Sequence, residues 1–159
     1  MKQKQTDLPS CEIKIDKEGR WFHKGAEMIR RDFIHLFYQN MELNSSGQYI
    51  INWMGQSCYV DVEDTAFVVK SVICKNTGTD LGTRFIVVLN DDTNEDLLPD
   101  TLYVGSSNIL YCRVKKRSFP ARFNRASYYQ IAQYFEEEKG TYYLKIDGIK
   151  HIISQGTDS

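Results

Sequence analysis

Arg113, Lys115, Lys116, Arg117, Arg122 and Arg125 fall within Tyr111 to Arg125, YCRVKKRSFPARFNR, with no acid among them. Guanidinium groups offer planar paired donors to phosphate. Arg125 also opens a stretch of helical periodicity, whose N-terminal dipole favours an anion. The run reads in two ways. It is an anion site, or it is a solvated strand and loop whose charge balances the acidic stretch Asp91 to Asp100, DDTNEDLLPD. Arg30 stands at the start of an earlier helical stretch and could share an anion with Arg125. Asp64, in Val62-Glu63-Asp64-Thr65-Ala66-Phe67, marks a corner where an alternating strand gives way to an apolar one. A carboxylate there ties the corner by accepting backbone N–H groups, or it contacts a ligand.

Other chemistries lack their pattern. Asp92, Asn94 and Asp96 match the first positions of a calcium loop, but Leu97 stands where the turn needs Gly and Tyr103 where the bidentate Glu belongs. Lys75 to Gly82 lacks the G-K-[ST] of a phosphate loop, and there is no G-x-G-x-x-G. His23, His35 and His151 show no metal spacing. Cys11, Cys58, Cys74 and Cys112 form no C-x-x-C and lie among β-like apolar residues, so they read as reduced thiols packed as small hydrophobes. Cys58 has no histidine near it in sequence to serve as a base. No cofactor is implied.

The formal charge of −1 argues against general nucleic-acid binding. Ten Tyr, eight Phe and two Trp in 159 residues suffice for a core. The opening MKQKQTDLPS is polar, without the apolar centre of a signal peptide, and no apolar run reaches the roughly 20 residues of a membrane span. The expected setting is cytoplasmic, with no membrane partner.

The elements that must position these residues follow from periodicity. Ile29, Phe33, Leu36, Phe37 and Met41 make an apolar stripe, which predicts a helix over 29–41 with Arg31, His35, Tyr38 and Glu42 on another face. Strands are predicted at 11–15, 20–23, 48–53, 57–62, 65–74, 83–90, 102–104 and 108–114. The 65–74 segment is apolar enough for burial on both faces. Pro120 argues against a central strand near it. A second helix is predicted at 125–138, capped by Asn124, stopped by Gly140 and buried along Tyr128, Ile131, Ala132 and Phe135. A hairpin on Asp147-Gly148 closes the chain.

The two helical stretches repeat each other. Arg30, Phe33 and Leu36 correspond to Arg125, Tyr128 and Ile131 at a shift of 95, and Gly47, Tyr49, Ile51 and Gly55 to Gly140, Tyr142, Leu144 and Gly148 at a shift of 93. The chain thus divides into an arm at 1–10, an N-terminal half at 11–76 and a C-terminal half at 77–159. The fold class is α+β: β-rich, with antiparallel strands and one helix in each half. A seam between two copies is a natural ligand site.

The segments Gly19-Arg20-Trp21-Phe22-His23-Lys24-Gly25, Ile29-Arg30, Leu36-Phe37, Val62 to Phe67, Asn90-Asp91-Asp92, Asn124-Arg125 and Tyr128-Tyr129 together resemble the uncharacterised bacterial family catalogued as domain of unknown function 1285. The resemblance runs from Cys11 to Ile153. It departs at the acid corner, where Ala66 replaces the usual Pro and Thr65 the usual Ala. It implies a duplicated β-rich fold whose later half is superficially pleckstrin-homology-like, a seam site for a nucleotide-like molecule, and a link to signalling. Trp21, Arg30, Asp64, Asn90 and Arg125 match the family pattern, and the basic run adds Arg117. No catalytic role carries over. The expected function is a non-enzymatic ligand-binding or regulatory module. Arginines hold the anionic group of a small molecule and Trp21 offers a stacking face. The alternative is a protein-interaction module using a sheet edge or groove, and a small hydrolase or transferase ranks last.

Overall fold

The computed structural model describes residues 8–76 and 83–155. The chain divides into two compact units, Met1–Ala66 and Phe67–Ser159. In the first unit, β1 (Ser10–Ile15), β2 (Trp21–His23), β3 (Ala26–Glu27), β4 (Met41–Leu43), β5 (Tyr49–Trp53) and β6 (Gln56–Val62) form one mixed sheet in the order β3-β2-β1-β6-β5-β4. One helix, α1 (Arg31–Gln39), precedes β4. In the second unit, β7 (Phe67–Asn76), β8 (Thr83–Leu89), β9 (Asn94–Asp96), β10 (Tyr103–Val104), β11 (Leu110–Val114), β12 (Phe119–Phe123) and β16 (Ser154–Gln155) form a sheet ordered β16-β10-β11-β12-β7-β8-β9. Helix α2 (Arg125–Ala132) follows β12 and leads into a separate meander of β13 (Phe135–Glu138), β14 (Thr141–Ile146) and β15 (Ile149–Ile152). The fold is α+β and β-rich, in two halves with a helix each.

The repeated order is plain in these elements. Each helix runs into a three-stranded antiparallel meander, β4-β5-β6 after α1 and β13-β14-β15 after α2. The second turn of each meander places two residues at positive φ: Met54 and Gly55 at 53° and 80°, Asp147 and Gly148 at 53° and 80°. A two-residue turn of that hand matches the twist of the flanking strands, which is why X-Gly recurs there.

Both helices are shorter than their periodicity predicts and, Ile131 of α2 apart, bury residues off the predicted stripes. Met41 is the first residue of β4, not the end of α1. The buried positions of α1 are Ile34 and Tyr38, while Phe33 is 44% exposed. Tyr38 turns inward because its hydroxyl is satisfied there: it accepts from Trp21 Nε1 at 3.0 Å and donates to the Ala66 carbonyl at 2.6 Å. In α2, Asn124 caps as expected, accepting from the Ser127 N–H at 2.8 Å. The helix stops at Ala132, and Phe135 belongs to β13. Gly140 sits in a strand turn rather than at a helix end.

Pro120 stands inside β12, which lies between β11 and β7. Pairing with β7 begins only at Ala121, so the missing N–H falls outside that ladder. The apolar segment is buried from Thr65 to Val69, but Lys70 is exposed where a bulge shifts the register between Val69 and Ser71. The predicted 75–82 loop lies largely outside the described residues. No described helix is long and apolar enough to cross a membrane.

Cys11 and Cys58 are joined in a disulfide, contrary to the reduced state read from the sequence. Strands β1 and β6 pair in parallel, and the register breaks between Ser10 and Lys14. That pairing brings two cysteines 47 positions apart to a Cα separation of 5.0 Å, within bridging range. Cys74 and Cys112 are free, and burial pushes the Cys112 thiol up to about 12.

Two outcomes follow from the first unit. Reduction of the disulfide, or Cys11→Ser with Cys58→Ser, should lower stability by roughly 2–4 kcal/mol through the freed loop, read as a drop in urea midpoint with and without reductant. At the Asp16–Arg20 turn, burial works against the charged Asp16 carboxylate. Hydrogen bonds from the backbone and side chain of Arg20 and the Arg20 charge outweigh it and hold the group below the usual carboxylate range. A depressed carboxylate stabilises fully above its unfolded value, about 3.9, and loses that contribution as pH falls through the folded value. Thermal midpoints measured down an acid series should therefore fall below about pH 4, and Asp16→Asn should shallow that fall.

Candidate functional site

The second unit holds a cleft of about 300 Å³ lined by Val104, Asn108, Tyr128, Phe135, Tyr142 and Ile153, with Gln155 at its edge. The reason the helix contributes Tyr128 lies in how α2 is docked. Beyond Phe123, β12 no longer pairs with β7, and α2 takes over that edge. The Asn124 N–H donates to the Val69 carbonyl at 3.2 Å, Ser127 Oγ donates to the same oxygen at 2.8 Å, and Gln130 Oε1 accepts from the Val72 N–H at 2.7 Å. Polar residues at 124, 127 and 130 thus fasten one side of the helix to strand backbone. Ile131 is fully buried, while Tyr128 and Tyr129 are left exposed with their rings edge to face at 5.5 Å.

Three aromatic walls and two amide side chains suit a flat ring with hydrogen-bonding edges, and the volume is at the lower end of ligand clefts, about 300–1,000 Å³. Arg125 precedes Tyr128 by three residues and Tyr129 by four, so it shares their side of the helix. It is exposed and makes no ion pair or hydrogen bond among the described residues. None of the cleft-lining residues stands out in sequence as a site. The legible signal was the Asn-x-x-Ser-x-x-Gln line, which occupies the docking side and turns the tyrosines outward.

Of the candidates read from sequence, Trp21, Arg30 and Asp64 lie in the first unit and Asn90, Arg117 and Arg125 in the second. Trp21 is 1% exposed, with Phe37 stacked at 6.1 Å and Tyr38 edge-on at 4.8 Å, so no ring face is open to a ligand. Arg30 is held by the adjacent Asp32 through two bonds of 3.0 and 2.8 Å and lies over the Phe33 ring. Asp64 lines a shallow cleft of the first unit beside Gln48 and Asp61. Asn90 is buried: its backbone N–H donates to the Val68 carbonyl at 3.0 Å and its Oδ1 accepts from the Val68 N–H at 2.9 Å.

The basic run forms a corner with the acidic one. Lys115, Lys116 and Arg117 take successive positive φ values of 56°, 56° and 67°, a conformation costing non-glycine residues about 1–2 kcal/mol each. Acids surround the turn. Lys115 Nζ pairs with the buried Asp91 at 2.8 Å, its N–H donates to Glu95, and Arg117 forks onto Asp100 at 3.0 and 3.1 Å. The Arg117 hydrogen bond holds the Asp100 carboxyl below its usual range despite some desolvation. Arg117 and its neighbours are thus engaged in holding a strained hairpin tip, in line with the balancing reading of the run.

Solved structures sharing this fold include a DUF1285 family protein from Silicibacter pomeroyi DSS-3, with TM-score 0.75 at 16% identity over 91% of this chain and 80% of that one. A DUF1285 family protein from Shewanella baltica OS155 gives TM-score 0.61 at 16% identity over 76% and 90%. The structural relatives are members of the family that the sequence resembles. No protein-family model matches the sequence, and no curated protein matches it. At this identity the likeness establishes the fold and assigns no chemistry.

Lys115→Ala should destabilise by about 1–3 kcal/mol, because it leaves Oδ2 of the buried Asp91 without its partner while Thr93 still donates to Oδ1. Lys116→Gly, at an exposed position of the same turn with no side-chain partner among the described residues, should be neutral or stabilising by under about 1 kcal/mol. Urea unfolding of the two variants checks both signs.

Proposed function

We infer that the protein is a non-enzymatic ligand-binding module that takes a nucleotide-like molecule in the second unit. The carrying observation is the cleft walled by Tyr128, Phe135 and Tyr142, with an uncommitted arginine one helical turn before Tyr128. A planar base stacks against the tyrosines, and Asn108 and Gln155 offer both donors and acceptors to its edge. Arg125, at the start of α2, takes the phosphate with the helix dipole behind it. A regulatory role in signalling accords with a site that binds without a reacting group. Disulfides persist in oxidising compartments, so the Cys11–Cys58 link weighs against the reducing cytoplasm expected from the sequence.

A second reading, the protein-interaction module, draws on the first unit. Phe33, Phe37 and Trp53 form a run of ring contacts at 6.5 and 6.2 Å, and Ile29 and Met54 are more than four-fifths exposed. Exposed apolar patches of this kind mark partner surfaces.

Thermal shift with AMP, GMP, CMP and UMP separates the two. A binding nucleotide at 100 times its Kd adds about 2.7 kcal/mol of stability. Tyr128→Ala should weaken the best nucleotide and its nucleoside alike by about tenfold or more. Arg125→Ala should weaken the nucleotide alone by about tenfold, erasing its advantage over the nucleoside. No shift with any of the four nucleotides refutes the ligand reading.

A further inference from the structure

Tyr129 stands beside the tyrosine cleft without lining it. Its ring meets Tyr128 edge to face at 5.5 Å, and 62% of the residue is exposed. Among the described residues it makes no other ring contact, no hydrogen bond and no ion pair. A single tyrosine in water is ordinary. One that continues an aromatic wall beside an uncommitted arginine is a second platform. At about 100° of turn per residue, Arg125 projects between Tyr128 and Tyr129, and Ala132 comes next on that line. Helical side chains lean towards the N-terminus, so both rings lean towards the turn that carries Arg125. Arg125 makes no ring contact among the described residues, and Ala132 brings only a methyl group, so neither covers a ring face.

The charge balance is narrow. Arg125 is the one charged residue of α2, and no charged residue lines the cleft. On β13, Glu137 stands in register with Tyr142 and shares its face of the meander. Glu136 and Glu138 face the other way, onto Tyr143 and Lys150. One cation with a carboxylate nearby matches a ligand of single negative charge. A terminal phosphate carries about −1.5 to −2 at pH 7, and a phosphodiester about −1.

We propose that the ligand is a dinucleotide, two bases joined through one phosphodiester. This rests on the nucleotide reading of the cleft and names its ligand class. One base enters among Tyr128, Phe135 and Tyr142, the other stacks on the open face of Tyr129, and Arg125 holds the phosphodiester between them. The two tyrosine ring centres are 5.5 Å apart, more than the about 3.4 Å between bases stacked in a strand. The bases are therefore held splayed, each on its own ring. Every base has a π-face, so Tyr129 adds affinity without selecting the second base. Selection falls on the first base, whose edge meets Asn108 and Gln155.

Calorimetry on the full chain compares ApA, GpG, CpC and UpU with AMP, GMP, CMP and UMP. The best dinucleotide should bind about tenfold or more tighter than the tightest mononucleotide. Tyr129→Ala should remove that advantage, leaving mononucleotide affinity within about twofold and the melting temperature level, because the ring is exposed. Tyr129→Phe should keep the advantage, since the stacking face is retained. A trinucleotide of the same base should bind within about threefold of the dinucleotide. Three results overturn the proposal and leave the nucleotide reading intact. A mononucleotide binds and no dinucleotide exceeds it; Tyr129→Ala leaves the advantage in place; or a third nucleotide brings about another tenfold, the signature of single-stranded nucleic acid. If no mononucleotide and no dinucleotide binds, the nucleotide reading fails with it.

Discussion

The two-residue segment Val68-Val69 is the constraint on which the second unit depends. Both side chains are wholly buried, so the backbone groups between them cannot turn to water. Asn90 pairs with both polar groups of Val68, and the Val69 carbonyl receives Asn124 N–H and Ser127 Oγ. Two chain regions far apart in sequence are thereby brought to one strand. The corner after β8 and the start of α2 are both fastened by this requirement. The bulge just beyond Val69 exposes the next N–H groups to the helix, and Gln130 closes that account.

The first unit solves the same problem with a hydroxyl. Tyr38 relays between an indole N–H and the Ala66 carbonyl, joining α1, β2 and the acid corner through one buried oxygen. Rotating α1 to seat that hydroxyl turns Phe33 outward, where Arg30 lies over its ring. A phenylalanine at 38 would relax the choice of face and leave the Trp21 N–H without an acceptor. Residues that look conspicuous in the sequence, Trp21 and Arg30 among them, are thus consumed in setting the helix.

The fold was legible where it rests on local rules. The X-Gly turns, the Asn124 cap and the recurrence of a helix followed by a hairpin are local and stand in the structure as read, although the Gly140 stop lies in a strand turn and each hairpin gains a preceding strand from the predicted helix end. Helix faces were legible only in part, at Ile131, because a stripe of apolar residues competes with buried hydrogen bonds that periodicity does not count. Tyr38 and the 124–127–130 line both won that competition. The disulfide was invisible for a related reason: Cys11 and Cys58 meet only through a parallel pairing of strands distant in sequence. Charge was legible in kind but not in use. The segments 91–100 and 113–117 balance each other, and geometry alone shows that a left-handed turn is what the balance supports.

The cleft of the second unit falls where these structural demands are already met. Once polar side chains fasten α2 to β7, its aromatic side is released from packing, and the meander that follows closes a cleft over it. Arg125 stays uncommitted while Asp91 and Asp100 of its own unit pair with Lys115 and Arg117 of the strained tip at 115–117. Duplication of one helix-and-meander plan does not force the copies to share a chemistry, since what each copy leaves unsatisfied depends on side chains that the repeat does not conserve between them. Arg30 answers to Arg125 in the repeat, yet Arg30 is held by Asp32 while Arg125 makes no ion pair or hydrogen bond among the described residues.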